Sequence, residues 1–169
     1  MVKTPICNFC ARTGVLCKRC SSRLRSGKID EMDIEISKLL VKVENRFSFL
    51  TKVELKRTII VNGYIVLAVS KGSKTPIFDN PQLLNLIAKE AKRQVKIVEI
   101  GSNQRATLSS LFLPLKVIGV DTVFVPDGSQ ELKIRLRGKE EDLALPLRDL
   151  EEIASKITKI HVRAHFEVA

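Results

Sequence analysis

Apolar residues in the first half of the chain recur at spacings that predict a helix followed by a β-hairpin. The hairpin is predicted by two runs of β-branched residues, 53–60 and 64–70, and by the two-residue turn signal Asn62-Gly63 between them. Asp30 has the side chain of a helix N-cap. The helix after it is predicted by apolar residues at helical spacing: Met32, Ile36, Leu39, Leu40, Val43 and Phe47.

A second helix and a third strand complete this first unit. Residues 71–75 are basic and are predicted to form a loop. Asn80-Pro81 predicts a helix start, because asparagine caps helices and proline suits the first helical position. Residues 95–100 predict a strand. The sequence therefore predicts an α-β-β-α-β unit at residues 29–101.

Residues 102–169 repeat this order of elements. The predicted elements are a helix at 104–112 ended by Pro114, strands at 117–125 and 132–137 joined by a turn at 126–129, a helix at 147–157 and a strand at 159–168. We expect an α+β fold in which each unit packs helices on one side of a three-stranded sheet.

The remaining segment, residues 1–28, holds the four cysteines of the chain in two C-x-x-C pairs, Cys7, Cys10, Cys17 and Cys20. Two such pairs at this spacing predict a closed, tetrahedral, structural zinc site, and four thiolates leave no position for a catalytic water. Disulfides are the competing interpretation, which a reducing cytoplasm disfavours. Residues 21–28 are expected to be a linker or loose turn.

Charge is concentrated in the same segment. The chain has 29 Lys and Arg against 19 Asp and Glu, and the first 30 residues hold +6 of the net +10. This predicts contact with a polyanion, RNA above all, through six cations near the cysteines: Arg12, Lys18, Arg19, Arg23, Arg25 and Lys28. Part of this charge can instead offset the −2 of a zinc tetrathiolate. Aromatic residues are only 5% of the chain, which argues against base stacking as the main binding device.

Several motifs resemble those of archaeal NusA-like KH-domain RNA-binding proteins with an N-terminal four-cysteine zinc module. They are Ile6-Cys7-Asn8-Phe9-Cys10, Thr13-Gly14-Val15-Leu16-Cys17, Ile34-Glu35-Ile36, Val95-Lys96-Ile97-Val98-Glu99, Val117-Ile118-Gly119-Val120-Asp121-Thr122 and Val125-Pro126-Asp127-Gly128-Ser129. The resemblance implies a zinc knuckle followed by two KH-like units of the prokaryotic type. It also implies RNA binding with a role in transcription elongation or termination, or in translation, and with RNA polymerase or the ribosome as partner.

One departure from that family concerns the Gly-x-x-Gly loop, with which KH domains hold four backbone nucleotides. The sequence contains no such motif, and the equivalent position falls near residues 78–81. There Asp79 repels phosphate and Pro81 lacks an N–H. RNA contact in this unit is therefore assigned to basic side chains, which can alternatively be ordinary surface charges: Lys71, Lys74, Lys89, Lys92, Arg93 and Lys96.

Three functional hypotheses remain open at this stage. The first is a non-enzymatic, NusA-like factor on structured or nascent RNA, the second a ribosome-associated protein on rRNA, and the third a zinc-dependent protein–protein adaptor. No catalytic motif and no small-molecule site is recognised, and His161 and His165 lack companion metal ligands. No apolar run is long enough to span a membrane and no secretory signal is visible, so a cytoplasmic location is expected.

Overall fold

The computed structural model describes residues 1–167. The chain divides into two compact units, Met1–Glu99 and a second that begins at Ile100. Each unit contains one three-stranded sheet, so the predicted α+β class is confirmed. Among residues 1–167, no helix has the length and apolar character needed to cross a lipid bilayer.

The cysteine segment consists of two short helices, α1 (Asn8–Thr13) and α2 (Lys18–Arg25). Helix α1 ends at Gly14, whose positive φ of 78° suits a glycine and whose N–H donates to the Cys10 carbonyl. The prediction of a linker at residues 21–28 is wrong for its first part, because α2 continues through Arg25. The Cys17 thiol accepts the Cys20 N–H and caps this helix, which apolar periodicity alone does not reveal.

This segment packs into a small apolar cluster, which joins it to the next helix, α3 (Glu31–Val43). The buried members of the cluster are Ile6, Cys10, Ala11, Cys20, Ile29 and Ile34. Residues 7–20 are too few to bury a core alone, and Ile34 supplies apolar surface from α3. The cysteine segment therefore lies in the same compact unit as the first sheet.

Helix α3 begins with the predicted cap and also protects the edge of the first sheet. Asp30 and Asp33 form a reciprocal capping box, in which each side chain accepts the other's backbone N–H. The Asp33 Oδ1 atom also accepts the backbone N–H of Thr58 at 2.6 Å and its hydroxyl at 2.8 Å. Thr58 lies on β1 (Leu55–Val61), an edge strand, so Asp33 satisfies a donor that no neighbouring strand pairs.

The first sheet has the order β1-β2-β3, with β2 at Tyr64–Ser70 and β3 at Gln94–Ile100. Strands β1 and β2 are antiparallel and Val61 pairs with Tyr64, which confirms the Asn62-Gly63 hairpin. Helices α4 (Lys74–Phe78) and α5 (Pro81–Ala91) separate β2 from β3. The predicted loop at 71–75 is wrong at its end, because α4 already begins at Lys74. Helix α4 has only five residues, which are too few to show the apolar period that marks a helix in a sequence.

The second unit contains helices α6 (Gln104–Leu111) and α7 (Leu147–Thr158) and a sheet of order β4-β5-β6. Its strands are β4 (Lys116–Phe124), β5 (Gln130–Arg137) and β6 (His161–Phe166). Strand β5 is antiparallel to β4 and parallel to β6. The last strand was predicted at 159–168. It lies within that range, and Val168 is outside the described residues.

The second sheet is also protected at an edge by a helix. The backbone N–H of Val162 donates to Ser155 Oγ at 2.9 Å, and that of Ala164 donates to Glu151 Oε1 at 2.8 Å. Both acceptors lie on α7 and both donors on the edge strand β6. The two units thus use helix side chains in the same way, to satisfy N–H groups that would otherwise invite another strand.

Candidate metal centre and basic surfaces

The four cysteine sulfurs converge on one point. All four Sγ atoms lie within 4.8 Å of one another, with 3.2 Å between Cys7 and Cys10 and 4.0 Å between Cys7 and Cys17. A tetrahedral tetrathiolate site with metal–sulfur bonds of about 2.3 Å places its sulfurs about 3.8 Å apart. The four side chains therefore fit a metal ion of this kind. The spacing of the two C-x-x-C pairs predicted which residues meet here.

The two short helices place these side chains. Cys7 and Cys17 are the residues before α1 and α2, and Cys10 and Cys20 lie in the first turns. The Cys17 N–H donates to Cys10 Sγ at 3.1 Å, and the Cys20 N–H donates to Cys17 Sγ at 3.5 Å. Backbone donors at helix starts stabilise thiolates, which are the form that binds metal. The turns therefore arrange both the position and the charge of the ligands.

The thiols differ in exposure and in acidity. The N–H of Cys20 and the neighbouring thiols lower the pKa of Cys17 to about 6. Burial raises the pKa of Cys10 to about 12 and also raises the pKa of Cys20. Cys7 is exposed and Cys17 half-buried, while Cys10 and Cys20 are inaccessible to solvent. A metal ion must therefore displace protons from the two buried thiols as it binds.

The predicted cations of the cysteine segment have two kinds of environment. Five are exposed: Arg12, Lys18, Arg19, Arg25 and Lys28. The sixth, Arg23, is half-buried, and its guanidinium donates to the Pro5 carbonyl oxygen. Arg23 thus holds residues 5 and 23 together, whereas the other five are accessible to a polyanion.

In the rest of the first unit, the structure brings two of the predicted cations to one groove. The groove has a volume of about 140 Å³ and is lined by Lys74, Phe78, Leu84, Val95, Lys96 and Ile97. Burial, together with the nearby positive charge of Lys74, lowers the pKa of Lys96. Two ammonium groups therefore face the same depression, which favours an anion there.

The other predicted cations of this unit lie elsewhere. Lys71 is exposed in the turn before α4, and Lys89 is exposed in the last turn of α5. Lys92 ends that helix in a left-handed conformation, and Arg93 donates to the Ala91 carbonyl at 3.0 Å. Lys71 thus precedes α4, and the other three lie at the end of α5. Of the six cations predicted in this unit, Lys74 and Lys96 are the two that line the groove.

The connection between α4 and α5 lies where a KH loop was expected, at residues 78–81. It consists of Asp79 and Asn80, and the Asn80 side chain accepts the Leu83 N–H at 3.1 Å to cap α5. Phe78, just before it, is 64% exposed. Sequence reasoning missed Phe78. The available signal was an isolated aromatic residue at the predicted loop of an aromatic-poor chain.

Comparison with known proteins shows a shared architecture. The chain is similar to the crystal structure of APE1850, an uncharacterised archaeal protein, with a TM-score of 0.58 and 16% sequence identity. The match covers 75% of this chain and 96% of that one. No protein-family model matches the chain, and no curated protein matches it. At this identity the likeness shows the fold alone.

Proposed function

We propose that this protein binds RNA without catalysing a reaction, and that its four cysteines hold a structural zinc ion. The observation that carries the proposal is the groove between α4, α5 and β3, where Lys74 and Lys96 face one depression beside exposed Phe78. Two cations confined near each other are stabilised by phosphate, and an aromatic ring offers a surface to a base. The net charge of +10 adds long-range attraction.

Zinc is the metal that this ligand set favours. Soft thiolates select zinc over magnesium, calcium and manganese, and a site with four cysteines is closed to substrate. The ion would hold α1 and α2 in place and so fix the exposed cations Arg12, Lys18 and Arg19. This supports a structural role, in which metal binding orders a segment whose own apolar cluster is small.

The mechanism is electrostatic capture of the sugar–phosphate chain. Cations of the cysteine segment and of the groove contact phosphates, which positions the RNA without reading its sequence. The loop between α4 and α5 has no glycine pair to admit the RNA backbone, and Asp79 repels it. Side chains therefore replace the backbone amides of a KH loop. A NusA-like role on nascent RNA and a role on rRNA both use this chemistry.

The test compares two charge-matched double variants of the full chain. Lys74→Gln with Lys96→Gln removes the groove cations, and Lys42→Gln with Lys52→Gln removes two exposed cations of the same unit. Binding of a labelled oligouridine is measured by fluorescence anisotropy over a salt series. We expect the groove variant to bind roughly tenfold weaker or worse. Its log–log salt slope should be shallower by about 1.4. Equal behaviour of the two variants would contradict the groove assignment.

A second candidate function is docking of the cysteine segment on a protein. It is favoured by two exposed apolar side chains in that segment, Phe9 at 62% and Val15 at 66%. Such residues on a small, metal-held surface suit a protein partner. Under this alternative, the complex with the protein partner survives nuclease treatment. The Phe9→Ser variant no longer binds that partner, while its affinity for oligouridine equals that of the wild type.

A further inference from the structure

The outward face of the second sheet is exposed and carries most of the charged residues of its strands. On β5, Leu132, Ile134 and Leu136 are buried, and the residues between them, Lys133 and Arg135, point to the other side. Strand β6 follows the same alternation, with Val162 buried and Arg163 exposed. By contrast, the middle strand of the first sheet is buried at every residue from 65 to 69. The second sheet therefore has one face accessible to a partner, whereas the middle strand of the first sheet is covered on both faces.

Strand register places like charges directly opposite one another on this face. Lys133 pairs with Arg163 across β5 and β6, and Lys116 pairs with Arg137 across β4 and β5. Neighbouring strands are only about 4.8 Å apart. Like charges in directly opposite positions destabilise a sheet. Two such pairs on one surface are relieved when a polyanion lies across them.

The acidic residues of the face neutralise only part of this charge. Asp121 lies directly opposite Lys133 on the β4 side and forms an ion pair with Arg135 at 3.2 Å. Glu131 lies opposite His161 and, with Lys133, Arg163 and His165, borders a shallow depression. The Arg163 Nε atom donates to His161 at 3.3 Å, which leaves its terminal nitrogens for a ligand. The remaining cations therefore form an electropositive strip across the three strands.

Gly119 leaves the space that the Arg135 side chain occupies. Gly119 is the cross-strand neighbour of Arg135, and a Cβ atom at Gly119 would come within 2.2 Å of Arg135 Nη2. The guanidinium thus lies flat across the glycine, on its way to Asp121. The guanidinium therefore covers the backbone at Gly119, and alternate side chains along each strand recur about every 6.6 Å.

We propose that the outward face of β4, β5 and β6 is a second RNA-binding surface, which contacts sugar–phosphate through Lys133, Arg137, Arg163 and Lys116. The proposal rests on the proposed function, to which it adds a surface in the unit that begins at Ile100. RNA is favoured over an acidic protein because the outward positions of β5 and β6 hold charged residues and histidines, with no large apolar side chain among them to anchor a protein partner.

The experiment uses the full chain, labelled oligouridine and two double variants. Lys133→Gln with Arg163→Gln removes one like-charge pair from the face. Lys139→Gln with Lys156→Gln removes two exposed cations of the same unit that lie outside these strands. We expect the face variant to bind roughly tenfold weaker or worse, with a salt slope shallower by about 1.4. The control variant should match the wild type.

A second measurement uses the wild-type chain, so its result does not depend on whether the face variant folds. Ultraviolet crosslinking of the wild-type chain to RNA, followed by mass spectrometry, should mark peptides from β5 or β6. Unchanged affinity of the face variant, or crosslinks that avoid both strands, would overturn the second surface.

If the groove variant alone loses binding, the proposed function stands and this inference falls. If the wild type binds no RNA, both fall. Polyglutamate that binds as tightly as RNA and needs Lys133 and Arg163 would assign the face to an acidic protein instead.

Discussion

The backbone N–H of Cys17 donates a 3.1 Å hydrogen bond to the sulfur of Cys10, and this contact joins the two cysteine pairs. Cys10 is inaccessible to solvent and also packs in the apolar cluster with Ile34 of α3. One side chain therefore links the second pair, the first pair and the neighbouring helix. Removing it affects both metal binding and the packing of residues 1–29.

The first prediction concerns Cys10→Ser. The variant should lose bound metal, because a serine hydroxyl is a poor ligand and its oxygen is buried among apolar groups. Amides of α1 and α2 should exchange rapidly, while those of β5 and β6 keep their protection. Metal content by mass spectrometry and hydrogen exchange measure the two effects. Ser22→Ala, an exposed change in α2, is the control. Retained metal would contradict the assignment of Cys10 as a ligand.

The second prediction is that metal affinity falls as the pH falls. At neutral pH, before metal binds, the thiols of Cys10 and Cys20 keep their protons because burial raises the pKa of each. Binding must release these protons, so acid competes with the metal. Below about pH 6 the Cys17 thiolate is protonated as well, since its pKa is about 6, and the decline becomes steeper. Competition with a chromophoric chelator measures the affinity, and a pH-independent value would contradict four-thiolate ligation.

Much of the fold could be predicted from the sequence, because most of its elements carry local signals. Asp30 and the apolar stripe predicted α3, and Asn62-Gly63 fixed the hairpin register. The exceptions are α2 and α4: α2 has only Cys20 and Leu24 among polar and basic residues, and α4 has only five residues, too few to show an apolar period. Helix α2 is held by a cysteine cap and by packing on distant residues, neither of which leaves a pattern in its own sequence.

The sequence likewise predicted part of the candidate site and missed the rest. The four cysteines were identifiable because their spacing alone determines that they meet. The proximity of Lys74 and Lys96 was not, because it depends on how α4 packs beside β3. The like-charge pairs of the second sheet depend on strand register, which the sequence leaves open until the hairpin and the crossover are built.

The third prediction tests the contact between Asp33 and Thr58. Asp33→Ala leaves the buried Thr58 N–H without its acceptor, so the free energy of unfolding should fall by about 2–3 kcal/mol. Asp30→Ala removes only the exposed half of the capping box and should cost about 1 kcal/mol. Urea denaturation followed by circular dichroism measures both. Equal losses in the two variants would show that the contact to β1 contributes nothing beyond the cap.

The fourth prediction separates two arginines of the cysteine segment. Arg23 donates to the Pro5 carbonyl, whereas Arg25 is exposed. Arg23→Gln should therefore loosen residues 1–29, seen as faster hydrogen exchange in α1 and α2. Arg25→Gln should leave exchange unchanged and weaken RNA binding, with a salt slope shallower by about 0.7. If Arg25→Gln alters exchange as much as Arg23→Gln does, the distinction between the two is wrong.

The fifth prediction concerns the binding of RNA itself. The cations of the cysteine segment, of the groove in the first unit and of the outward face of the second sheet are all proposed to contact sugar–phosphate. The most direct measurement is the affinity of the full chain for oligouridine as a function of salt concentration. If about six phosphates are contacted, the log–log slope on a single strand is about −4. Absence of binding in dilute buffer, or a slope near zero, would contradict the account.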